Sequence, residues 1–377
     1  MTNQVFRATA ALVLLTASLP ALAASATATR SWQYKPESDA GLTVRNLMGD
    51  VRVERGTNPG IHVTASTTVE TTSQAEAERL VELIDFRTSD VGAGSRFDVR
   101  LPRQHFPKLY WEKGASTWFS LSYVEHLGER IRLVGDRDDA PLVRVDLVIR
   151  APAGASLDVS NALGDARAQG FSGTLRLDGG SGLLSSTGGE GEVELDNGSG
   201  EVVVSAHRGR VVADTGSGDV KIADCECEVV ADTGSGSVDI QRGKGSVSAD
   251  TGSGDVDVAD FAGPFAADTG SGSVKARGLA NVKRLEVDTG SGSVNVEGDL
   301  SALERVAIDT GSGSVTLRSS AQPSLELRID TGSGDIDVSA PGAAIRERDD
   351  VTYVRMRDGA HGGDIDTGSG SVTVDFR

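Results

Sequence analysis

The chain has 377 residues, a formal net charge of −18, 47 glycines and an aromatic content of only 4%. So acidic a surface excludes unaided binding to nucleic acid or to an anionic membrane. The length permits a sizeable core, but so few rings and so much glycine fit thin stacked layers better than one bulky globule.

Arg7 precedes an apolar run from Ala8 to Leu19, which ends in Pro20-Ala-Leu-Ala23. A charged start, a short apolar core and a small-x-small site predict a secretory signal peptide over residues 1–23. Loss of Arg7 with it would take the net charge from −18 to −19. No cysteine follows the cleavage site, so a lipoprotein anchor is not expected, and no later apolar run reaches transmembrane length. The mature chain is expected to be exported to the periplasm or cell surface.

Residues 24–152 read as an N-terminal region of strands with one helix. Asn46-Leu-Met-Gly49-Asp50-Val51 matches Asn161-Ala-Leu-Gly164-Asp165-Ala166 at the head of the later repeats, which suggests an early coil that caps the array. Strands are predicted at Ile61 to Thr68, Arg96 to Leu101 and Val143 to Ile149. Between the first two, Ser73 and Glu76 suggest a capping box, and Ala77, Leu80, Val81 and Ile84 share one helical face. A helix there would cap the end of a stack whose open edge would otherwise invite aggregation.

An aromatic-rich insertion is placed at 104–140. Phe106, Tyr110, Trp111, Trp118, Phe119 and Tyr123 are six of the chain's sixteen aromatics, drawn together within twenty residues. They are the candidate partner-binding residues, since exposed rings stack on sugars and anchor protein partners. The plainer expectation is that they fold back as a plug over the end of the stack.

From residue 153 to 377 one unit repeats. Asp-Thr-Gly-Ser-Gly begins at Asp214, Asp232, Asp250, Asp268, Asp288, Asp309, Asp330 and Asp366, with degenerate copies at Asp178 and Asp196. Successive spacings are 18, 18, 18, 18, 18, 20, 21, 21 and 36 residues. A second glycine marker keeps step at Gly173, Gly191, Gly209, Gly245 and Gly263. Val211, Ala213 and Thr215 alternate with Val212 and Asp214, and Val220 and Ile222 flank Lys221; period 2 means strand, and the glycines permit tight corners at positive φ. Two strands and two corners make one coil, and coils stacked about 4.8 Å apart bury what one alone cannot. The expected fold is all-β: a single-chain parallel β-solenoid of about 18–21 residues per coil, with an N-terminal cap containing one short helix. Val, Ile, Ala and Thr should line its interior and an Asp row its outside. Towards the end, insertions at Gly278 to Lys283 and Gly298 to Glu304 lengthen the second corner. Pro341 to His361 interrupts the array, with a strand or hairpin suggested around Val351 to Val354.

Pro152-Ala-Gly154 leading into Leu157 and Val159, then Asn161 to Asp165, then serial Gly-Ser-Gly-[Asp/Ser]-[Val/Ile] units resemble the bacterial "putative adhesin" β-strand-repeat family. The resemblance covers roughly Ser31 to Arg377 and is closest from Leu147 onward. It implies a β-solenoid domain of unknown function in exported or membrane-tethered envelope proteins, and says nothing of the aromatic insertion.

Three chemistries compete with a structural role. Asp-Thr-Gly-Ser matches the motif of pepsin-like proteases, but those need two carboxylates facing each other across two lobes, and eight copies at these intervals would form a row. Calcium-binding β-rolls also have eighteen-residue coils, yet here Asp precedes the glycines, and each can instead accept N–H groups of its own turn. The row Asp214, Asp232, Asp250, Asp268, Asp288, Asp309, Asp330 and Asp366 is therefore only a remote calcium candidate. Cys225 and Cys227 fall in the second corner, in columns shared with Phe171 and Phe261 and with Gly209 and Gly245. Two thiols are too few for zinc, and His62, His105, His126, His207 and His361 show no ligand spacing, although His207 precedes Cys225 by one coil. Residues two apart on a regular strand have Cα atoms about 6.5 Å apart, near the limit for a bridge, so both thiols are expected to be buried and free.

No cofactor, catalytic residue or metal is assigned. The reading is an exported non-enzymatic scaffold of the cell envelope or surface, adhesin-like, with an envelope glycan or protein as partner. The alternatives are an envelope-stress accessory or sensor in the periplasm and a polysaccharide-acting β-helix enzyme.

Overall fold

The computed structural model describes residues 24–34, 41–91, 94–111, 123–135 and 140–377. The signal-peptide segment and Trp118 and Phe119 of the insertion lie outside them. The chain divides into two compact units, Met1–Ser185 and Ser186–Arg377; the repeat coils form the parallel β-solenoid that the sequence predicts, and the first unit adds antiparallel strands to it.

In the second unit each coil lays one strand on each of two walls. The first wall holds Glu190–Asn197, Arg208–Thr215 and their successors, paired in parallel with Val211 on Val193 and Asp214 on Asp196. The second wall holds Val202–Ser205 on Val220–Ala223 and onward, with Val220 on Val202 and Val238 on Val220. The alternation sets the faces: Val220 and Ile222 are buried while Lys221 is exposed. Around Gly278 to Glu304 the lengthened corners turn Leu279, Val282, Leu300 and Leu303 inward, and all four are buried.

The first corner is built around threonine. Thr215, Thr233, Thr251, Thr269, Thr289, Thr310 and Thr367 are completely buried. Each hydroxyl donates to the second glycine carbonyl of the neighbouring coil, as in Thr251 Oγ1 to Gly236 O at 2.8 Å, and accepts its own coil's Gly N–H, as from Gly254 N at 3.0 Å. This corrects the expectation that the Asp side chain holds the turn: the Asp lies outside and its threonine neighbour takes the N–H. The next position explains why Asp and Ser interchange there. Asp219 Oδ1 accepts Ser237 N at 3.0 Å, Asp255 Oδ1 accepts Ser273 N at 2.7 Å, and Ser293 Oγ accepts Ser314 N at 3.3 Å, so either residue supplies the oxygen that the next coil's N–H requires.

The corner glycines need a different account from the one expected. In the second unit positive φ falls at the second marker column, at Gly191, Gly209, Gly245 and Gly263 with φ of 113° to 136°, and not at the Gly-Ser-Gly corners from Gly216 to Gly370. In the Gly-Ser-Gly corner the constraint is closeness. A Cβ on Gly236 would stand 1.8 Å from Gly218 O, and one on Gly254 would stand 1.8 Å from Gly236 O. Beside the second marker, Ala206, Asp224, Arg242 and Asp260 adopt φ of 53° to 56°, a left-handed conformation disfavoured for residues with a Cβ. Arg242 and Asp224 offset some of that with a two-pronged pair across adjacent coils, at 2.8 and 3.1 Å.

The first unit has the same two walls with an irregular end. One wall runs Asp85–Val91, Gly94–Arg100, Leu42–Met48, Ala155–Leu163 and Ser172–Ser181, with the first pair antiparallel and the rest parallel. The other runs Ala24–Tyr34, Ile61–Thr71 and Leu142–Ala151, all antiparallel, and then Val51–Arg55 and Ala166–Gln169 in parallel. The coil Leu42–Arg55 is therefore a true coil, and Asn46 Nδ2 bonds Asn161 Oδ1 at 3.0 Å as the sequence match implies. It does not end the stack, because strands 94–100 and 142–151 cover it. The only helix among the described residues, Gln74–Glu82, buries Ala77, Leu80 and Val81, with Ile84 just beyond. The capping box is absent: Ser73 makes no side-chain cap bond, and its N–H goes to Thr71 Oγ1 at 3.1 Å. Trp32, Phe86 and Phe97 pack with ring centroids 4.8 to 5.9 Å apart.

Thr251→Val keeps the shape of the buried side chain but leaves Gly236 O and Gly254 N without their partner. We expect a cost of about 1–3 kcal/mol in chemical denaturation, larger than that of Thr251→Ser, which keeps the hydroxyl. Equal costs would mean that the methyl group, not the hydrogen bonds, matters at this corner.

Candidate functional site

Three features could carry chemistry, and the structure treats them differently. The Asp column stacks in register as Asp196, Asp214, Asp232, Asp250, Asp268, Asp288, Asp309, Asp366 and Asp330. All from Asp214 onward are exposed except Asp330, which is half-buried and held by Arg328 at 2.6 Å. No two face each other across a cleft, so the geometry of an aspartic protease is not present. Among the described residues no three His, Cys, Asp or Glu side chains are grouped as metal ligands. The crowding has an electrostatic signature. The Asp214 carboxyl titrates above its usual range because of partial burial and then the charges of Asp232 and Asp196, and Asp250 is raised by partial burial and by Asp232.

The cysteines correct an expectation. Cys225 and Cys227 form a disulfide with Cα atoms 5.5 Å apart, and both are buried. The distance is shorter than the about 6.5 Å of a regular strand and within the usual range for a bridge, in a corner where Asp224 takes a φ of 55° just before the pair. Cys227 stacks between Gly209 and Gly245, so the bridge occupies the corner that positive-φ glycine forms in the coils on either side. His207 is buried one coil earlier, its Nε2 is 3.1 Å from Gly191 O, and burial lowers its pKa. With both sulfurs in the bridge, the cysteines are not available as thiolate ligands beside it.

The aromatic insertion contributes a small sheet in the first unit, Lys108–Tyr110 and Tyr123–His126 on either side of Glu129–Val134. Phe106 is completely buried, which removes it from the recognition candidates and makes it a core residue. Tyr110 and Trp111 are half-buried, and Tyr123 is exposed with the Arg130 guanidinium 4.9 Å from its ring centroid. Plug and surface are thus both present in the one segment.

Beside this sheet lies a cavity of about 300 Å³ lined by Asp85, Arg87, Arg100, Arg103, His126 and Glu129, with Leu101, Pro102, Gln104, Leu127 and Ile131. The hairpin of strands 85–91 and 94–100 sets Asp85 opposite Arg100 and Arg87 opposite Asp98. Arg45 grips Asp98 with two bonds of 2.7 Å, and Arg87 holds Asp85 at 2.9 Å. His126 Nε2 lies 2.8 Å from Val99 O, and burial lowers its pKa, which favours the neutral ring. The lining therefore holds three arginines against two carboxylates. Sequence reading missed this cavity, since its residues come from three separate stretches, 85–87, 100–104 and 126–131, with no motif to join them.

The cysteine bridge is tested by mass. The unreduced protein should be lighter than the reduced one by two hydrogens, and a thiol reagent should label neither cysteine in denaturant until a reductant is added; labelling in denaturant without reductant would remove the bridge. For the Asp column, a folded-state pKa above the unfolded one means stability that is complete below the unfolded value, about 4, and lost as pH rises through the folded value. Asp214→Asn should accordingly raise the unfolding free energy at pH 7 by at most about 1 kcal/mol, fading towards about pH 4 and in high salt. A loss of stability at pH 7 would show that the carboxylate is needed where it stands.

No functionally curated protein matches the sequence. A crystal structure of a "putative cell adhesion protein" from Clostridium sporogenes aligns over 93% of this chain and 100% of its own, with a TM-score of 0.23 and 10% identity. The Toastrack DUF4097 family model matches residues 147–299 and 242–377, together more than half of the chain and the whole run of threonine-cornered coils. On that match, over the segment whose stacked corners define the fold, the chain belongs to the Toastrack DUF4097 family.

Proposed function

We propose that the protein is an exported scaffold of the cell envelope or cell surface that acts by binding rather than by catalysis. The observation that carries this reading is the contrast between the coils and the insertion. The coils stack equivalent carboxylates in a row rather than setting an acid, a base and a nucleophile around one point, as catalysis would require. The insertion departs from the repeat and offers half-buried Tyr110 and Trp111, exposed Tyr123 and an arginine-lined cavity on a rigid stack. A rigid support with aromatic side chains on a loop is a common arrangement for recognition. The partner class that fits aromatic and guanidinium groups together is an envelope glycan or protein carrying acidic groups.

The test is retention of the purified chain on envelope glycans and envelope proteins from its own source, with fractionation to locate it. Trp111→Ala and Tyr123→Ala should cut retention at least tenfold with little change in thermal midpoint. Phe106→Ala should destabilise by about 3–5 kcal/mol. Retention unchanged by Trp111→Ala and Tyr123→Ala, or a cytoplasmic location, would refute the proposal.

A further inference from the structure

The coil that comes last in sequence is not last in the stack. Strand His361–Thr367 lies between Arg305–Thr310, with Asp366 on Asp309, and Leu325–Thr331, with Asp366 on Asp330. On the other wall Val372–Phe376 lies between Val315–Ser319 and Ile336–Ser339. The chain leaves Ser319, passes over one level through residues 320–324, and lays down the coil 325–339. It then adds the hairpin Ala344–Arg348 and Val351–Arg355, of which the second strand pairs antiparallel with Leu325–Thr331. Only then does it return to fill the gap.

The gap is bonded on both sides. Gly368 N donates to Thr310 O at 3.2 Å and Thr367 Oγ1 to Gly313 O at 3.0 Å. From the far side, Gly332 N donates to Thr367 O at 3.0 Å and Val372 N to Asp335 O at 2.9 Å. Ile365, Thr367, Val372, Val374 and Phe376 are completely buried there. The fit is selective at the corner: a Cβ on Gly370 would stand 1.9 Å from Gly313 O, and one on Gly334 would stand 2.0 Å from Gly370 O. An occupant must therefore bring glycine at both corner positions, a threonine hydroxyl before them, and apolar residues at alternate positions after them. Asp366-Thr-Gly-Ser-Gly-Ser-Val372 meets this, and it is identical to the corners beginning at Asp232, Asp268, Asp288 and Asp309.

We propose that the level between coils 305–319 and 325–339 is a binding site for a coil delivered in trans, and that its partner is a second copy of this chain, the two copies exchanging their C-terminal coils. Coil 325–339 makes its parallel pairs with residues 361–375 and none with coil 305–319, so the level is completed by whichever coil enters it, and its chemistry is specific for this chain's own repeat. What keeps the coil at home is the turn 356–360. Arg357 and Gly359 take φ of 54° and 63°, Arg355 Nη2 donates to Asp358 O at 2.6 Å, and Ala360 N donates to Ser324 Oγ at 3.1 Å. So short a tether gives the home coil an effective concentration on the order of millimolar. Exchange then belongs to densely packed copies, or to a chain whose tether cannot span the distance.

Deleting Met356 through Ala360 from the full-length chain leaves two residue links between Arg355 and Gly362, about 7 Å of reach, to cross two strand spacings of about 4.8 Å each, since both residues stand opposite Glu326; the home level is then out of reach. The expected product is a one-to-one dimer by light scattering at concentrations where the parent is monomeric, with differently tagged chains co-purifying after joint refolding. A folded monomer with a protease-sensitive C-terminus overturns the proposal. Should that variant not fold, a full-length chain with a protease site across the turn can be cleaved and refolded with excess labelled peptide 361–377. One-to-one incorporation, abolished in a peptide carrying Gly370→Ala, supports the site, and a refolded chain that excludes the peptide overturns it.

Discussion

The rest of the structure depends on how closely the first corners approach each other. Carbonyls of stacked Gly-Ser-Gly turns stand where any Cβ would collide, at 1.7 to 2.6 Å in the second unit. Threonine makes that approach tolerable by taking up the polar groups left at the bend. Its hydroxyl donates to one coil and accepts from its own, so a chain of hydrogen bonds runs along the stack inside the corner, out of reach of water. A buried polar group without a partner would cost more than the bond contributes, which is why the column is so uniform. The charges outside are secondary: the Asp row raises electrostatic cost along the stack, and the threonine column is one of the things that holds the coils together despite it.

Much of this was legible in the sequence. The eighteen-residue spacing and the parity around Val211 and Val220 yield the coil, its faces and the inward threonine. The Asn46 and Asn161 match yields the early coil, and Ala77, Leu80, Val81 and Ile84 yield the helix face. The misses share a physical reason, because each depends on a distance that spacing does not report. The glycines at 218 and 236 look like residues of a left-handed turn, but contact with the next coil requires them. A pair two residues apart looks too far for a bridge when the strand is taken as fully extended, and the 5.5 Å between their Cα atoms shows only in the structure. Six aromatics in one stretch do not reveal that Phe106 is buried while Tyr123 is exposed. The order of the last coils leaves one trace, the 36-residue interval before Asp366, which signals an interruption but not a return to an earlier level.

The candidate site was the least legible part. Nothing about Arg87, Arg100, Arg103 and His126 is unusual one by one. Cross-strand pairing puts Asp85 against Arg100, and the Arg45–Asp98 pair braces the same face, while the insertion folds over it to close a cavity. The arrangement follows from the irregular end of the first unit, where the repeat has given way to antiparallel strands and side chains are no longer constrained by identical neighbours.

The interleaved coil also bears on how such a chain can change length. In the second unit the coils from Val202 to Gly298 follow one another in sequence and in space, so a whole unit of eighteen residues could be duplicated or lost there with every neighbour replaced by an equivalent one. Beyond Arg305 the same event would break the return of Asp366 to its level, because the coil it must lie against would no longer be the one left waiting. Growth and shrinkage are thus confined to the middle of the array, and relatives with more or fewer coils should differ there while keeping the crossed ending intact.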